Sequence, residues 1–186
     1  MPEINLLKSL PASKKNVKKR SEGKNQDVIK ASREYGELYF DGPREYGYGG
    51  YKYDGRWIPV AKDIIEHFGL KKGSRVLDVG CAKGFLVKDF LDLGIDAYGL
   101  DISEYALKNC EEETVGRLHL GSAEKLPFPD NSFDAVVAIN SIHNLKKEKC
   151  ISSLKEIQRV SPKNSFVQVD SYRNEEEKEI FLSWVL

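Results

Sequence analysis

The 186-residue chain has no net charge, because 29 Lys and Arg balance 29 Asp and Glu. That balance argues against a protein held on nucleic acid by a broad positive field, so any basic footprint has to be local. No apolar run approaches the ~20 residues of a membrane span. The first twenty residues carry their charges after a short apolar patch, the reverse of a secretory signal. A soluble, cytoplasmic protein without membrane attachment is expected. Cysteine is scarce: Cys81, Cys110 and Cys150 are an odd number, widely spaced, with no CxxC. This pattern suits neither a disulfide framework nor a zinc site, which leaves reduced thiols and no metal centre.

The length suits one domain with a real core and is short for two. Residues 1–34 carry nine Lys or Arg between positions 8 and 33, against Glu22 and Asp27, with little apolar periodicity. They read as a basic, mobile arm, either a solvated leader or a strand of charge able to track a phosphate backbone. Residues 35–56 hold six of the nine tyrosines among glycines and a proline that forbid a long regular element. From Trp57 onward a single domain, 57–186, is expected.

Within that domain, Ile58, Ala61, Ile64, Ile65 and Phe68 recur at helical spacing and Gly69 supplies a stop. Strand-like runs follow at 75–80, 96–101, 115–120, 133–139 and 165–170. Helical patterns alternate with them at 84–94, 103–110 and 146–160, the second opening on Ser103 as N-cap and the third ending before Pro162. Such alternation implies right-handed βαβ crossovers, hence a doubly wound α/β domain with a parallel sheet and a ligand site at the carboxyl ends of its strands. The last segment, 173–186, reads as a helix with Ile180, Phe181 and Trp184 on one face.

The turn after the first strand, "DVGCAKG" (78–84), is the most informative stretch. A dinucleotide site asks for GxGxxG, and from Gly80 that register requires glycines at 82 and 85, where the chain has Ala82 and Phe85. A triphosphate loop asks for GK[ST], and Lys83-Gly84-Phe85 lacks the hydroxyl that would hold magnesium. Neither pyrophosphate nor triphosphate fits.

The same residues resemble the first motif of the class I S-adenosylmethionine-dependent methyltransferases: an acid, Asp78, followed by small residues Gly80, Ala82 and Gly84 at alternate positions. The family most often has glycine at 82, and a methyl there is tolerable where the backbone keeps negative φ. The resemblance implies S-adenosylmethionine as cofactor. Its methionyl end would lie along 78–84, with the backbone of Cys81 in contact and Asp78 either holding the turn through its amides or meeting the ammonium through water. Asp101, 21 residues past Gly80 in "YGLDIS", would accept from the ribose hydroxyls, with Ile102 beside it. The loop "GSAEKLPFPDNS" resembles the family's adenine segment, in which Ser122 replaces an acid and Ala123 and Glu124 follow. Asn140 takes the place beside the transferring methyl. The family's sheet usually ends in two further strands, so this chain's five strands predict a Rossmann-like methyltransferase sheet whose last two lie beyond the end of this sequence. The alternative is an uncovered edge open to self-association into a homo-oligomer.

Methyl transfer from a sulfonium needs alignment and a dry pocket more than a catalytic side chain, and a base only for a weakly acidic nucleophile. His143, in "INSIHNL", is the candidate base; the bland reading is a helix-start histidine bonded to nearby backbone. His67 and His119 read as structural. The tyrosine-rich segment is either a cap over the site, with Tyr53 and Arg56 toward the substrate, or a surface meander packed on the sheet edge. The loop resemblance favours a small-molecule or saccharide acceptor. The alternatives are an RNA or protein methyltransferase docking through the basic arm, and a cofactor-binding module without turnover. Against the nucleic-acid reading, the fourth strand ends in "AINSIH" rather than an NPPY-type run.

Overall fold

In the computed structural model, residues 4–11 and 25–184 are described, the last five of these through their backbone alone. Five parallel strands form one sheet: β1 (Arg75–Val79), β2 (Asp96–Asp101), β3 (Leu118–Leu120), β4 (Ala135–Ile139) and β5 (Ser165–Gln168), in the order β3-β2-β1-β4-β5. The order reverses beside β1, so the carboxyl ends of β1, β2 and β4 surround the switch point where a doubly wound sheet takes its ligand. The helices are α1 (Gln26–Ser32), α2 (Glu37–Phe40), α3 (Ile58–Phe68), α4 (Phe85–Asp92), α5 (Glu104–Lys108), α6 (Lys147–Val160) and α7 (Glu175–Trp184).

Each boundary has a local cause. Gly69 closes α3 at φ 62, a left-handed conformation that costs glycine little. The Ser103 hydroxyl accepts from Ala106 N at 3.0 Å and starts α5. One sheet face buries Val76, Ala97, Ala135 and Val137 under Val60, Ala61 and Ile64 of α3 and Leu86, Val87 and Phe90 of α4. The other buries Leu77, Val79, Val136 and Ala138 against Ile157 and Val160 of α6. Residues buried on both faces are the reason β1 and β4 read as nearly continuous apolar runs.

The basic arm differs from the expectation of a uniformly mobile leader. Leu6 is buried in the cluster that contains Val60 and Ile64, and Ser9 Oγ donates to Asp63 Oδ2 on α3 at 2.6 Å. Burial of one leucine, about 1.5–3 kcal/mol, is enough to tie down a short segment that lacks periodicity. Residues 26–32 form α1, started by Asn25, whose Oδ1 accepts from Val28 N at 2.9 Å. The remainder of the arm, 1–3 and 12–24 with most of its basic residues, lies outside the described residues, as do the side chains of Ile180, Phe181 and Trp184. Among the described residues no helix is long and apolar enough to cross a membrane.

Candidate functional site

The turn 80–84 is built by backbone constraints. Gly80 N and Cys81 N both donate to Leu100 O, at 2.7 and 3.1 Å, which pulls the end of β1 against β2. Gly80 takes φ 84, and a Cβ there would stand 2.2 Å from Ser141 Cβ, so the position admits glycine alone. Ser141 in turn donates to Val79 O at 2.7 Å, joining the ends of β1 and β4. Gly84 turns at φ 78 into the first residue of α4. Ala82 departs from the tolerance argued above: its φ is +50, the left-handed region, where a side chain costs about 1–2 kcal/mol. Its methyl packs with Phe40 and Ala106, which offsets part of that cost.

Two acids stand at these strand ends. Asp78 is 6% exposed, and its carboxylate has no hydrogen-bond partner among the described residues. Burial, with the charge of Asp101 added, pushes it up to about 7. Asp101 is held by its neighbours: Oδ2 accepts from Ala82 N at 2.7 Å and Oδ1 from Ser103 N at 2.8 Å. Its burial raises it, opposed by the amides of Ser103, Ala82 and Ile102. With three amides on its four lone-pair sites, the carboxylate keeps one for a ligand. Cys81 is buried, and burial with Asp78 and Asp101 nearby drives its thiol well above the ordinary value, so it packs rather than reacts.

Beside Asp101 the surface is apolar: Ile102 is 62% exposed and Leu120, at the end of the adjacent β3, 59%. In the next loop Ser122 Oγ and Glu124 bond each other at 3.3 Å, and the Glu124 carboxylate is paired with Lys149 of α6 at 2.9 Å. Glu124 therefore ties the loop to the domain, while the Ala123 amide donates to nothing among the described residues. Asn140 is exposed at φ 52 past β4, its N–H donating to Gln168 O at 3.0 Å. His143 lies in a short 3-10 turn, half-buried, with Nδ1 lacking a partner among the described residues. Burial, opposed by Asp170, holds its ring below the ordinary histidine value and hence neutral.

Residues 35–53 close over the turn. One carboxylate joins the two parts: Asp41 Oδ2 accepts from Lys83 Nζ at 2.6 Å and from the Tyr105 hydroxyl at 2.8 Å, while Oδ1 accepts from Tyr51 N at 3.1 Å. Burial would raise Asp41, but these bonds outweigh it and hold the group below the usual carboxylate range. Ser103 Oγ donates to Tyr35 O at 2.5 Å, and the Tyr51 ring stacks on Phe85 at 4.5 Å.

Of the two substrate candidates, Tyr53 donates to the buried Asp89 of α4 at 2.6 Å, and Arg56 forms a surface pair with Asp54 at 2.8–2.9 Å. Both have partners within the chain. Lys83, Asp41, Tyr51 and Ser141 are the contributors that sequence reasoning missed. The one usable signal was the placement of a lysine inside an apolar turn, which demands a buried acid from elsewhere in the chain.

A doubly wound sheet carrying a small-residue turn, two buried acids and an apolar shelf at its switch point defines a nucleoside-binding domain. Comparison with known proteins takes this further. The family model described as a methyltransferase domain matches residues 77–167. The chain is 34% identical over 115 residues to a demethylmenaquinone methyltransferase of Geobacillus kaustophilus, covering 57% of this chain and 48% of that protein. It is 34% identical over 103 residues to a sterol 24-C-methyltransferase of Gibberella zeae, covering 50% and 27%. Among solved structures, the MccD protein superposes with a TM-score of 0.52 at 27% identity, over 61% of this chain and 54% of that one. Residues 77–167 are therefore a methyltransferase domain of the class I, S-adenosylmethionine-dependent kind. The chain spans about half or less of the length of these curated relatives.

S-adenosylmethionine is the methyl donor of this family, and the residues present fit it. A buried carboxylate, Asp78, pushed up by its burial and by the charge of Asp101, matches an ammonium. Asp101 is oriented to accept from a ribose. Ile102 and Leu120 offer an apolar face to a purine, and the Ala123 amide is left to donate to a ring nitrogen.

Proposed function

We propose that the chain transfers the methyl group of S-adenosylmethionine to a small-molecule acceptor, saccharides included, by in-line displacement. The observation that carries this reading is the buried, unpartnered Asp78 beside the backbone-held Asp101. An isolated buried carboxylate is costly in free protein, and a cationic ligand offsets that cost. When bound, the donor supplies a methyl group that is already activated by its sulfonium. The chain's residues then bind and align. Asp78 takes the ammonium, Asp101 the ribose hydroxyls, and the segment 35–53 keeps water from the turn. The neutral His143, after β4, takes the proton from a hydroxyl acceptor as general base. The relatives named above are named for quinone and sterol acceptors, and an aromatic cap suits acceptors with an apolar ring face.

The test is S-adenosylhomocysteine formation with a panel of demethylated quinols, sterols and sugar derivatives. Product is expected with one acceptor class and not without acceptor. Tight donor binding with no turnover on any small molecule, or methylation of RNA alone, would overturn the reading.

A further inference from the structure

Residues 51–56 lead from the aromatic cap into α3 and pack on one face of α4. Phe85 and Asp89, one helical turn apart, share that face. The Tyr51 ring stacks on Phe85 at 4.5 Å, the Tyr53 ring meets its edge at 5.7 Å, and the Tyr53 hydroxyl donates to Asp89 Oδ1 at 2.6 Å. That bond pushes the hydroxyl up to about 12, so it stays a donor. Asp89 is 1% exposed, and its other oxygen, Oδ2, is buried without a partner among the described residues. The charges around it do not neutralise it. Lys88 stands over the Tyr53 ring at 5.4 Å, but its ammonium is taken by Asp92 at 3.1 Å and Glu113 at 2.5 Å. Asp54 of the covering segment is a further acid, paired with Arg56. A carboxylate buried with one oxygen unpartnered is disfavoured as an anion. Burial accordingly raises Asp89, opposed by the Tyr53 bond; Asp92 and Asp54 add to the rise and Lys88 subtracts from it.

We propose that Tyr53 and Asp89 form a proton-sensitive catch that holds residues 51–56 on α4, engaged while Asp89 carries its proton and loosened when it ionises. The acid form still accepts from Tyr53 through its carbonyl oxygen. The ionised form gains by lifting Tyr53 away, because water then reaches the carboxylate. The catch is therefore tightest near and below the ordinary carboxylate value of about 4, and weakens as pH rises through the raised value of the docked state. The other end of the cap responds differently. Asp41 is held below the usual range, so its bonds to Lys83 and Tyr105 persist across the same interval. Since α4 starts from the turn at Gly84, the catch fastens the cap to the helix that the candidate site opens. It needs no ligand, and so stands apart from the donor reading above.

Hydrogen exchange of the full chain, followed from mildly acid to neutral pH and corrected for the intrinsic rate, tests the proposal on the wild type, Asp89→Asn and Tyr53→Phe. Asparagine keeps the shape and the accepting oxygen but cannot ionise, and phenylalanine keeps the ring beside Phe85 but loses the hydroxyl; melting curves check both folds. In the wild type, protection of residues 51–56 is expected to fall severalfold as pH rises, while the amides of α6 keep theirs. Asp89→Asn should hold the acid-side protection at every pH. Tyr53→Phe should show the neutral-side, weaker protection already in acid. No fall in the wild type, the same fall in Asp89→Asn, or full acid-side protection in Tyr53→Phe would each overturn the proposal.

Discussion

At the scale of single residues the account turns on Asp78. Burial, and then the charge of Asp101, push its carboxyl up to about 7 from the ordinary value near 4. The sign follows from linkage. A raised carboxyl in the folded state favours folding at low pH, and that contribution fades as pH rises from about 4 to about 7. The ligand's ammonium requires the ionised form, so binding is expected to tighten with pH up to about 7 and level off above it. Each bound ligand should displace close to one proton at pH 6. Titration with S-adenosylhomocysteine, whose ammonium stays protonated through this range, in buffers of different ionisation enthalpy would read that proton; a flat affinity between pH 5.5 and 8 would contradict the assignment. Asp78 and Asp101 were legible in the sequence because an acid before a small-residue turn and another at the end of the next strand are set by chain spacing. The conformation of Ala82 was not, since a single letter does not state φ, and the +50° found there reflects packing of its methyl under the cap. Nor does any local pattern decide which of six neighbouring tyrosines pack on the cluster that contains Ala82.

At the scale of elements, two couplings hold the site. The first lies between β2 and the turn: a Cβ on Gly99 would stand 2.6 Å from Cys81 Sγ and 2.7 Å from Leu118 Cδ2. Gly99→Ala should therefore overpack the strand by about 1–3 kcal/mol and lower the melting temperature by several degrees. Adding Cys81→Ala, which removes the nearest atom, should restore part of the loss; additive loss in the double variant would show that Cys81 does not set the glycine. The second coupling is the Asp41 latch between the cap and the turn. Lys83 is nearly buried, so removing its partner leaves an unpaired charge. Asp41→Asn should speed hydrogen exchange through residues 35–53 while the amides of β1 and β4 keep their protection. Unchanged exchange in the cap would show that aromatic packing alone holds it. The alternation of strands and helices in the domain was readable because apolar runs buried on both faces and capped amphipathic helices carry their own period. The docking of the N-terminal segments was not, because it depends on isolated contacts such as Leu6 in the core and Asp41 on Lys83.

At the scale of the whole molecule, five parallel strands in the order β3-β2-β1-β4-β5 bring a turn, two acids and an apolar shelf to one end of the sheet. The family membership of the domain and the chemistry of these residues agree on the same ligand. NAD would also place an acid at the end of the second strand, but it needs close backbone approach where this chain has Ala82 and Phe85. The most direct test of the central claim is thermal denaturation of the full chain with S-adenosylmethionine, S-adenosylhomocysteine and NAD in parallel. A ligand at a hundred times its dissociation constant stabilises the folded state by about 2.7 kcal/mol. Clear upward shifts with the two adenosyl compounds and none with NAD are expected; stabilisation by NAD alone would contradict the account.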